Sequence, residues 1–285
     1  MAASIAALCA DLLSETSVLD HLVGPLDGDA WAAASAAPGW TLRDQIVHLA
    51  RTDEAARLSA TDPARFVEMK TEMSRDRNAW IERIRRADEA KSGTEALGLL
   101  HEERAMLVDA VRNLDAGIHV PWFGPDMTLA SSLTARIMET WAHGQDCFDA
   151  LGVEHVPSPT LHNVAFIGAR ALPNSYRAHG RPVPDAGVRV ELEAPDGSEW
   201  VFGRDDATNM VQGPAVDFCL VVTQRRHVAD TALVARGDVA AEWLTIAQAF
   251  AGPPGQGRAP GQFLRVAIAQ SMEAKSLETK SPERG

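Results

Sequence analysis

WTLRDQIVHLARTDE (Trp40–Glu54) and METWAHGQDCFDALG (Met138–Gly152) are the two stretches that decide the fold of this chain. In the first, Thr41 precedes apolar residues at helical spacing and Asp44 follows three residues later, a variant of the capping box that starts a helix. In the second, a long helical period ends at Gly152, a residue type that commonly closes helices. Both stretches are therefore predicted to be helices.

The same helical periodicity extends on both sides of these stretches. It predicts helices over residues 3–23, 41–58, 72–90, 94–114 and 127–151, with a further helical stretch opened by Asp62-Pro63. Breakers at Gly24-Pro25, Asp62-Pro63 and Gly124-Pro125 separate the periods. Because successive helices joined by short connections pack against one another, residues 1–155 are predicted to form an antiparallel four-helix bundle.

The pattern changes after Val156-Pro157. Residues 188–193 alternate apolar and polar side chains, Asp196-Gly197 is a hairpin-turn signal, and residues 199–202 return as a second strand. Further elements are expected at 160–172 (helix), 216–222 (helix or strand), 232–234 (strand), 240–250 (helix) and 263–272 (helix). The chain is therefore predicted to have an α+β fold, with the bundle at 1–155, a smaller mixed α+β domain at 156–275 and a flexible polar tail at 276–285.

The composition of the 285 residues argues against several classes of protein. A formal net charge of −12 repels phosphate backbones and disfavours a DNA or RNA partner. Cys9, Cys147 and Cys219 are far apart and form no CxxC pair, which argues against a disulfide framework and a thiolate zinc site. The start of the chain lacks the basic segment of a signal peptide, and no run of about 18 apolar residues could span a membrane. A cytoplasmic protein is expected.

Glu139 and His143 lie four residues apart in the second stretch. This spacing places both on one face of a helix and suits two ligands of one metal ion. A third ligand would have to come from another helix, and His48 in the first stretch is the candidate. Spacing alone leaves other interpretations open, namely an exposed Glu–His pair on one helix and an ordinary hydrogen-bonded histidine on the other.

Other charged residues could assist such a site. Asp44 and Asp146 could each orient an imidazole, and both could equally be solvated helix charges. Arg136 could pair with the glutamate three residues later or with a substrate carboxylate. Arg225 and Arg226 follow an apolar run and could bind an anionic substrate or form a solvated basic turn.

Taken together, the two stretches resemble the metal-binding domain of mycothiol-dependent maleylpyruvate isomerases, within the DinB-like superfamily. The family form W-[ST]-x-x-[DE]-[LIV]-x-x-H-[LIV] is similar to the first stretch and E-x-x-x-H-x-x-D to the second, in the same order. The matching residues are Trp40, Thr41, Asp44, His48, Glu139, His143 and Asp146. Gln45 stands where the family form has an aliphatic residue, and this departure leaves the ligand positions unchanged. The resemblance covers residues 5–155.

A looser resemblance covers residues 213–250, GPAVDFCLVVTQRRHVADTALVARGDVAAEWLTIAQAF. This segment is similar to the wyosine-base-formation-like C-terminal region of relatives and, more distantly, to the sterol-carrier-like domain of the isomerases. The resemblance implies a mixed α+β fold and names no activity.

The first resemblance implies a divalent metal ion, zinc or nickel, held by His48, Glu139 and His143, with mycothiol as thiol co-substrate. Zinc lowers the pKa of a bound thiol, and a thiolate can add to an activated double bond. The expected function is therefore a thiol S-transferase or cis–trans isomerase acting on a small electrophile, in a monomer or homodimer. Candidates for binding the co-substrates are Arg136, Arg225 and Arg226. Two alternatives stay open: a non-catalytic protein that binds a metal and a small ligand, and a metal-dependent hydrolase.

Overall fold

The N-terminal part is built of helices. The structure, a computed structural model, describes residues 4–76, 79–80, 82–83 and 88–263. Its main helices up to residue 151 are α1 (Ile5–Val23), α2 (Gly28–Trp31), α3 (Leu42–Thr61), α4 (Pro63–Arg75), α5 (Gly93–Val111) and α6 (Leu129–Leu151). Helix α3 packs against α5 and α6, and α1 packs against α6, which confirms the predicted four-helix bundle. No helix in the described ranges is long and apolar enough to cross a membrane.

Local caps fix the ends of the bundle helices. Thr41 Oγ1 accepts the backbone N–H of Asp44 at 3.2 Å, and the carboxylate of Asp44 accepts that of Thr41 at 2.9 Å, so the predicted start of α3 is confirmed. Ser92 and Glu95 make the same reciprocal pair at the start of α5. Gly152 closes α6 with a φ of 65°, a left-handed conformation that glycine adopts without strain.

Two helix boundaries in the bundle differ from the prediction. The helix predicted over 72–90 is interrupted, because α4 ends at Arg75 and the side chain of Asp76 caps a new turn. The last bundle helix begins at Leu129 instead of Met127. The reason is a two-residue antiparallel hairpin, in which β2 (Met127–Thr128) pairs with β1 (His119–Val120).

Apolar side chains make up most of the bundle core, and a buried ion pair lies among them. Its fully buried side chains include Leu8, Leu12, Leu19, Leu42, Ile46, Leu49, Phe66, Leu100, Leu107 and Ile137. Each such side chain contributes about 1.5–3 kcal/mol through burial. Arg104 Nε donates to Asp53 Oδ2 at 2.7 Å, and Arg104 Nη1 donates to Thr16 Oγ1 at 2.6 Å, so this pair joins α5 to α3 and α1.

After residue 152 the chain forms a four-stranded sheet covered by helices, which confirms the predicted α+β class. The strands are β3 (Val188–Glu193), β4 (Glu199–Phe202), β5 (Asn209–Pro214) and β6 (Val234–Arg236), in the order β4-β3-β5-β6. The helices are α7 (Leu161–Arg170), α8 (Leu172–Ala178), α9 (Ala215–Val222) and α10 (Asp238–Ile246). The predicted hairpin is confirmed, because β3 and β4 are antiparallel and Gly197 has a φ of 81° in the turn between them.

Several elements of this second part differ from the prediction in place or type. Strand β5 has no counterpart in the sequence pattern, and it pairs with β3 in parallel. The ambiguous run at 216–222 is helix α9, the strand predicted at 232–234 lies at 234–236, and the helix predicted at 240–250 ends at 246. The helix predicted at 160–172 is two helices, α7 and α8. The helix predicted at 263–272, apart from Phe263, and the tail at 276–285 lie outside the described residues.

Helix α6 is shared by the two parts of the molecule. Leu133 and Ile137 belong to the bundle core, whereas Met138, Trp141 and Ala142 belong to a second core, formed with α7, α9 and the sheet. Apolar packing is therefore continuous from the bundle into the second part, and the domain boundary at 155 stays a prediction.

Candidate metal centre

Three side chains from two neighbouring helices converge between α3 and α6. His48 lies on α3, and Glu139 and His143 lie one turn apart on α6. Nε2 of His143 is 3.1 Å from Oε2 of Glu139, and Nε2 of His48 is 3.6 Å from the same oxygen. One ligand atom from each residue lies within 4.8 Å of the other two. The structure thus brings together the three residues that the sequence singles out, while their role as ligands stays a prediction.

The orientation of His143 is set by a hydrogen bond that the sequence pattern does not predict. Its Nδ1 donates to Oε1 of Gln45, on the facing helix α3, at 2.5 Å. Because an amide oxygen only accepts, Nδ1 carries the proton, and Nε2 of the neutral ring keeps its lone pair. The nitrogen beside Glu139 is therefore the one that can ligate a metal ion.

Burial and mutual contacts set the protonation states of the group. Burial by itself would raise the pKa of Glu139, but the close contacts with the imidazoles of His143 and His48 and the charge of Arg136 outweigh it, and the pKa lies well below its usual range. Burial, together with the neighbouring His48, lowers the pKa of His143 to about 4. At neutral pH the site thus holds a carboxylate and a neutral imidazole, the forms in which both side chains bind metals.

The donor set fits a divalent metal ion. Zinc binds imidazole nitrogen and carboxylate oxygen at about 2.0–2.2 Å, so the ligand atoms of a tetrahedral site lie about 3.4 Å apart. The separations of 3.1 and 3.6 Å lie on either side of that value. Within the described ranges no fourth His, Cys, Asp or Glu joins the group. Zinc sites with three protein ligands keep a position open for a small molecule.

One edge of the site faces solvent. The side chain of His48 is 32% exposed, whereas those of Glu139 and His143 are 17% and 13% exposed. The ring of Trp40 forms a wall beside both imidazoles, with centroid distances of 5.3 Å to His48 and 5.8 Å to His143. A small ligand could therefore approach from the His48 side without displacing the core.

The sequence around this site matches a known domain. A sequence model described as the mycothiol maleylpyruvate isomerase N-terminal domain matches residues 12–148, which include all three converging side chains. Two proteins of Mycobacterium tuberculosis, MT0041 and Rv0036c, are each 42% identical to the chain over 256 residues, covering 87% of this chain and 97% of the relative. Residues 12–148 belong to the mycothiol maleylpyruvate isomerase N-terminal domain family.

Solved structures from the isomerase family share the fold. Crystal structures of the mycothiol-dependent maleylpyruvate isomerase and of a histidine-to-alanine mutant of it match with TM-scores of 0.54 and 0.53. Each match covers 82% of this chain and 93% of the other, at 16% identity, so the likeness is one of fold. The wyosine-base-formation-like and sterol-carrier-like resemblances of the C-terminal region stay predictions.

Two carboxylates that could have oriented the imidazoles have other partners. In this member of the isomerase family, Asp44 caps α3, and Asp146 accepts hydrogen bonds from Arg225 at 2.8 Å and Arg258 at 2.7 Å. The interpretation of the two aspartates as orienting groups is therefore wrong, and Gln45 takes that place for one imidazole. The available signal was Gln45 itself, since a polar residue stands there in place of the aliphatic residue of the family form.

Arg136 is a buried cation beside the three candidate ligands. It lies three residues before Glu139 on α6 and is 3% exposed. Its Nη2 is 4.0 Å from Oε1 of Glu139, too far for a hydrogen bond, and its Nε and Nη1 have no hydrogen-bond partner. The guanidinium lies 5.5 Å from the ring centroid of Trp122. Arg136 therefore keeps unused donors next to the candidate ligands.

Arg225 and Arg226 reach α6 from the second part of the molecule. Arg225 pairs with Asp146 at 2.8 Å, and Arg226 makes a bidentate pair with Asp149 at 2.6 and 2.7 Å. Besides burial and the neighbouring His48, the charge of Arg225 lowers the pKa of His143, so the guanidinium acts electrostatically on the site. These pairs connect the second part to the helix that carries two of the candidate ligands, and a role for both arginines in binding an anion stays a prediction.

The cysteine thiols are core groups. Burial raises the pKa of Cys9, Cys147 and Cys219, and it raises that of Cys147 to about 12 together with the charge of Asp146. Such thiols are protonated at neutral pH and are poor nucleophiles. Thiolate chemistry in this member of the isomerase family would therefore need a thiol from outside the chain.

Proposed function

We propose that this protein is a divalent-metal-dependent mycothiol S-transferase or cis–trans isomerase that acts on a small electrophilic metabolite in the cytoplasm. The observation that supports the proposal is the three-donor group on α3 and α6, with one exposed edge and no fourth protein donor among the residues that the structure describes. The thiol follows from the family, because its solved members are named mycothiol-dependent maleylpyruvate isomerase.

His48, Glu139 and His143 would hold the ion, with zinc or nickel as the occupant that two imidazoles and one carboxylate accept. When bound, zinc lowers the pKa of a thiol that ligates it, so that a thiolate is present at neutral pH. The chain's contribution is to supply neutral imidazole and ionised carboxylate in fixed positions, and to keep Trp40 beside the open edge.

The reaction follows from the chemistry of a thiolate and an activated double bond. The sulfur adds to the electrophilic carbon, and the π electrons move to the activating group. The former carbon–carbon double bond is now single. Rotation about it, followed by expulsion of the thiolate and return of the double bond, gives the other geometric isomer. Protonation of the adduct without expulsion gives an S-conjugate. In either case the protein has to hold thiol and electrophile together, which is where most of the rate enhancement would arise.

Arg136 is the arginine best placed to bind an anionic group of either co-substrate in this proposal. Its Nε and Nη1 are both without partners, whereas Arg225 and Arg226 donate to the carboxylates of Asp146 and Asp149 and each leave only Nε unpaired. A ligand anion would satisfy donors that are costly to leave unpaired in a buried position.

The test begins with zinc-loaded protein and mycothiol itself. Calorimetry should show binding that disappears in Glu139→Gln, which removes the ligand charge, and persists in Glu199→Gln, a substitution at an exposed position of strand β4. A panel of unsaturated electrophiles is then followed by mass spectrometry for S-conjugates and by NMR for isomerisation.

Three results would change the assignment. Zinc-loaded protein that binds no mycothiol would overturn the proposal in favour of a non-catalytic metal- and ligand-binding protein. Hydrolysis of a substrate without any thiol would indicate a metal-dependent hydrolase. Turnover that is equal in the wild type and in Glu139→Gln would exclude the three-residue centre from the reaction.

A further inference from the structure

Gln45 is a buried polar residue that links α3 to α6. Its side chain is polar, yet it is 0% exposed, like the core residues Ile46 and Leu49 on the same helix. Its Oε1 accepts from Nδ1 of His143 at 2.5 Å, and its Nε2 donates to Oγ of Ser35 at 2.8 Å. Both ends of the amide are therefore in use, which is the condition for burying such a group without a large loss of stability.

The partner on the other side is itself fixed. Ser35 Oγ accepts the backbone N–H of Ala37 at 3.3 Å, and the neighbouring Ala36 N–H donates to the backbone carbonyl of Asp146 at 3.2 Å. The loop before α3 is thereby attached to α6. Because Oγ of Ser35 accepts the hydrogen bond from the amide nitrogen of Gln45, the amide oxygen is the end that faces His143.

We propose that Gln45 is a positioning residue for the metal site, which holds the ring of His143 with Nδ1 protonated and Nε2 turned toward Glu139. The inference rests on the proposed metal site and adds to it a residue that is not one of the three candidate ligands. An acceptor opposite the non-ligating nitrogen fixes the ring orientation and increases its basicity toward a metal ion.

An aliphatic residue at this position would leave Nδ1 of His143 without its acceptor. The ring could then flip or change its tautomer. Part of the free energy of metal binding would be used to restore the orientation in which Nε2 faces Glu139. Loss of such outer partners typically weakens metal binding by about 10- to 100-fold. Gln45→Leu should therefore raise the Kd for zinc by that factor.

The experiment compares four variants of the full chain by competition with a chelator. Gln45→Leu should show the large loss, Ser35→Ala a smaller one, and Gln45→Glu, which keeps an oxygen acceptor, should stay within a few-fold of wild type. The matched control is Gln248→Leu, because Gln248 is also 0% exposed but bonds to the carbonyls of Phe250 and Gly252 in the second part of the molecule. That variant should lose stability without a change in Kd.

Two further measurements separate positioning from mere structural support. The visible absorption of the cobalt-substituted protein should change in Gln45→Leu and be recovered in Gln45→Glu, and the helix content of the metal-free variants should equal that of wild type. An unchanged Kd and cobalt spectrum in Gln45→Leu would overturn the inference.

The inference and the proposed function fail in different ways. Wild-type protein that binds metal but no mycothiol would refute the thiol reaction and leave the role of Gln45 intact. Wild-type protein that binds neither zinc, cobalt nor nickel would refute both.

Discussion

Two of the carboxylate–arginine pairs in the bundle, Asp53 with Arg104 and Glu139 with Arg136, differ in one respect. Arg104 donates directly to Asp53 at 2.7 Å, and both side chains are at most 1% exposed. Arg136 stays 4.0 Å from Glu139, whose other oxygen faces two imidazoles near the exposed edge of the bundle. Both pairs leave some polar atoms without partners.

The difference shows which feature separates a structural ion pair from a site. The types of side chain do not separate them, because each pair combines one carboxylate and one guanidinium in the same bundle. In the first pair, direct contact between the charges offsets the cost of burying them. In the second, the carboxylate is withheld from the guanidinium and kept ionised, so its charge remains available to a cation. Substitutions in the two pairs should therefore affect different properties.

The largest expected effect is on stability, at the first pair. Arg104→Met leaves Asp53 as an uncompensated buried charge, so the free energy of unfolding should fall by about 3–5 kcal/mol. Denaturant titration of the metal-free protein measures this. The double variant Asp53→Leu/Arg104→Met should regain most of the loss, because a well-packed apolar pair often replaces a buried ion pair at little cost. A zinc Kd that changed in this double variant would contradict the separation of the two pairs.

The second effect is on metal affinity, at the second pair. His143→Ala removes a ligand and should raise the Kd for zinc by more than about 100-fold, above the range for outer partners. Helix content by circular dichroism should remain near wild type, because α6 keeps its apolar contacts through Ile137, Met138 and Trp141. If the Kd were unchanged, the converged side chains would not be the metal site.

A third effect concerns pH and the metal-free protein. The pKa of His143 is about 4 in the folded chain, against 6.5 for an unperturbed histidine. Its contribution to stability is therefore present above pH 6.5 and lost as the pH falls toward 4. Between pH 7 and pH 5 the loss is about 2 kcal/mol. Thermal unfolding at the two pH values should show a larger decrease in wild type than in His143→Gln, and equal decreases would be the contrary result.

The smallest effect has the opposite sign. Arg136→Met removes a cation about one helical turn from the ion, so zinc should bind more tightly, by about three- to tenfold. Binding of an anionic co-substrate should weaken in the same variant. Calorimetry with zinc and then with mycothiol separates the two changes. Weaker zinc binding would mean that Arg136 chiefly holds Glu139 in position.

The sequence predicted the structural features that are determined by residues close together in the chain. The capping box of Thr41 and Asp44, the closing Gly152 and the turn at Asp196-Gly197 depend on side chains and backbone within a few positions of one another. Helical periodicity then placed Glu139 and His143 on one face. His48 was one candidate for the third ligand, and the family resemblance strengthened it, because no local pattern relates it to a helix 91 residues later.

The parts that were missed depend on distant contacts. Strand β5 contains Met210 and Val211 but ends in Gly213-Pro214, and its pairing is with β3, in parallel, so the local pattern carries no alternation to detect. The interruption at Asp76 looked like helix, because a capping aspartate is also an ordinary surface charge. The role of Gln45 rests on a contact with a residue 98 positions away, which spacing within one helix cannot reveal.

The shared helix α6 has a thermodynamic consequence for the whole chain. An ion that binds only the folded state stabilises it by RT ln(1 + [L]/Kd). Met138, Trp141 and Ala142 lie in the second core, between and beside Glu139 and His143, so opening that core would disturb the ligand spacing. Binding of an ion at this site would therefore be coupled to the opening of β3 and β5, which carry none of the candidate ligands. Amide hydrogen exchange in β3 and β5 should slow when zinc is added, and the two parts should unfold as a single cooperative unit.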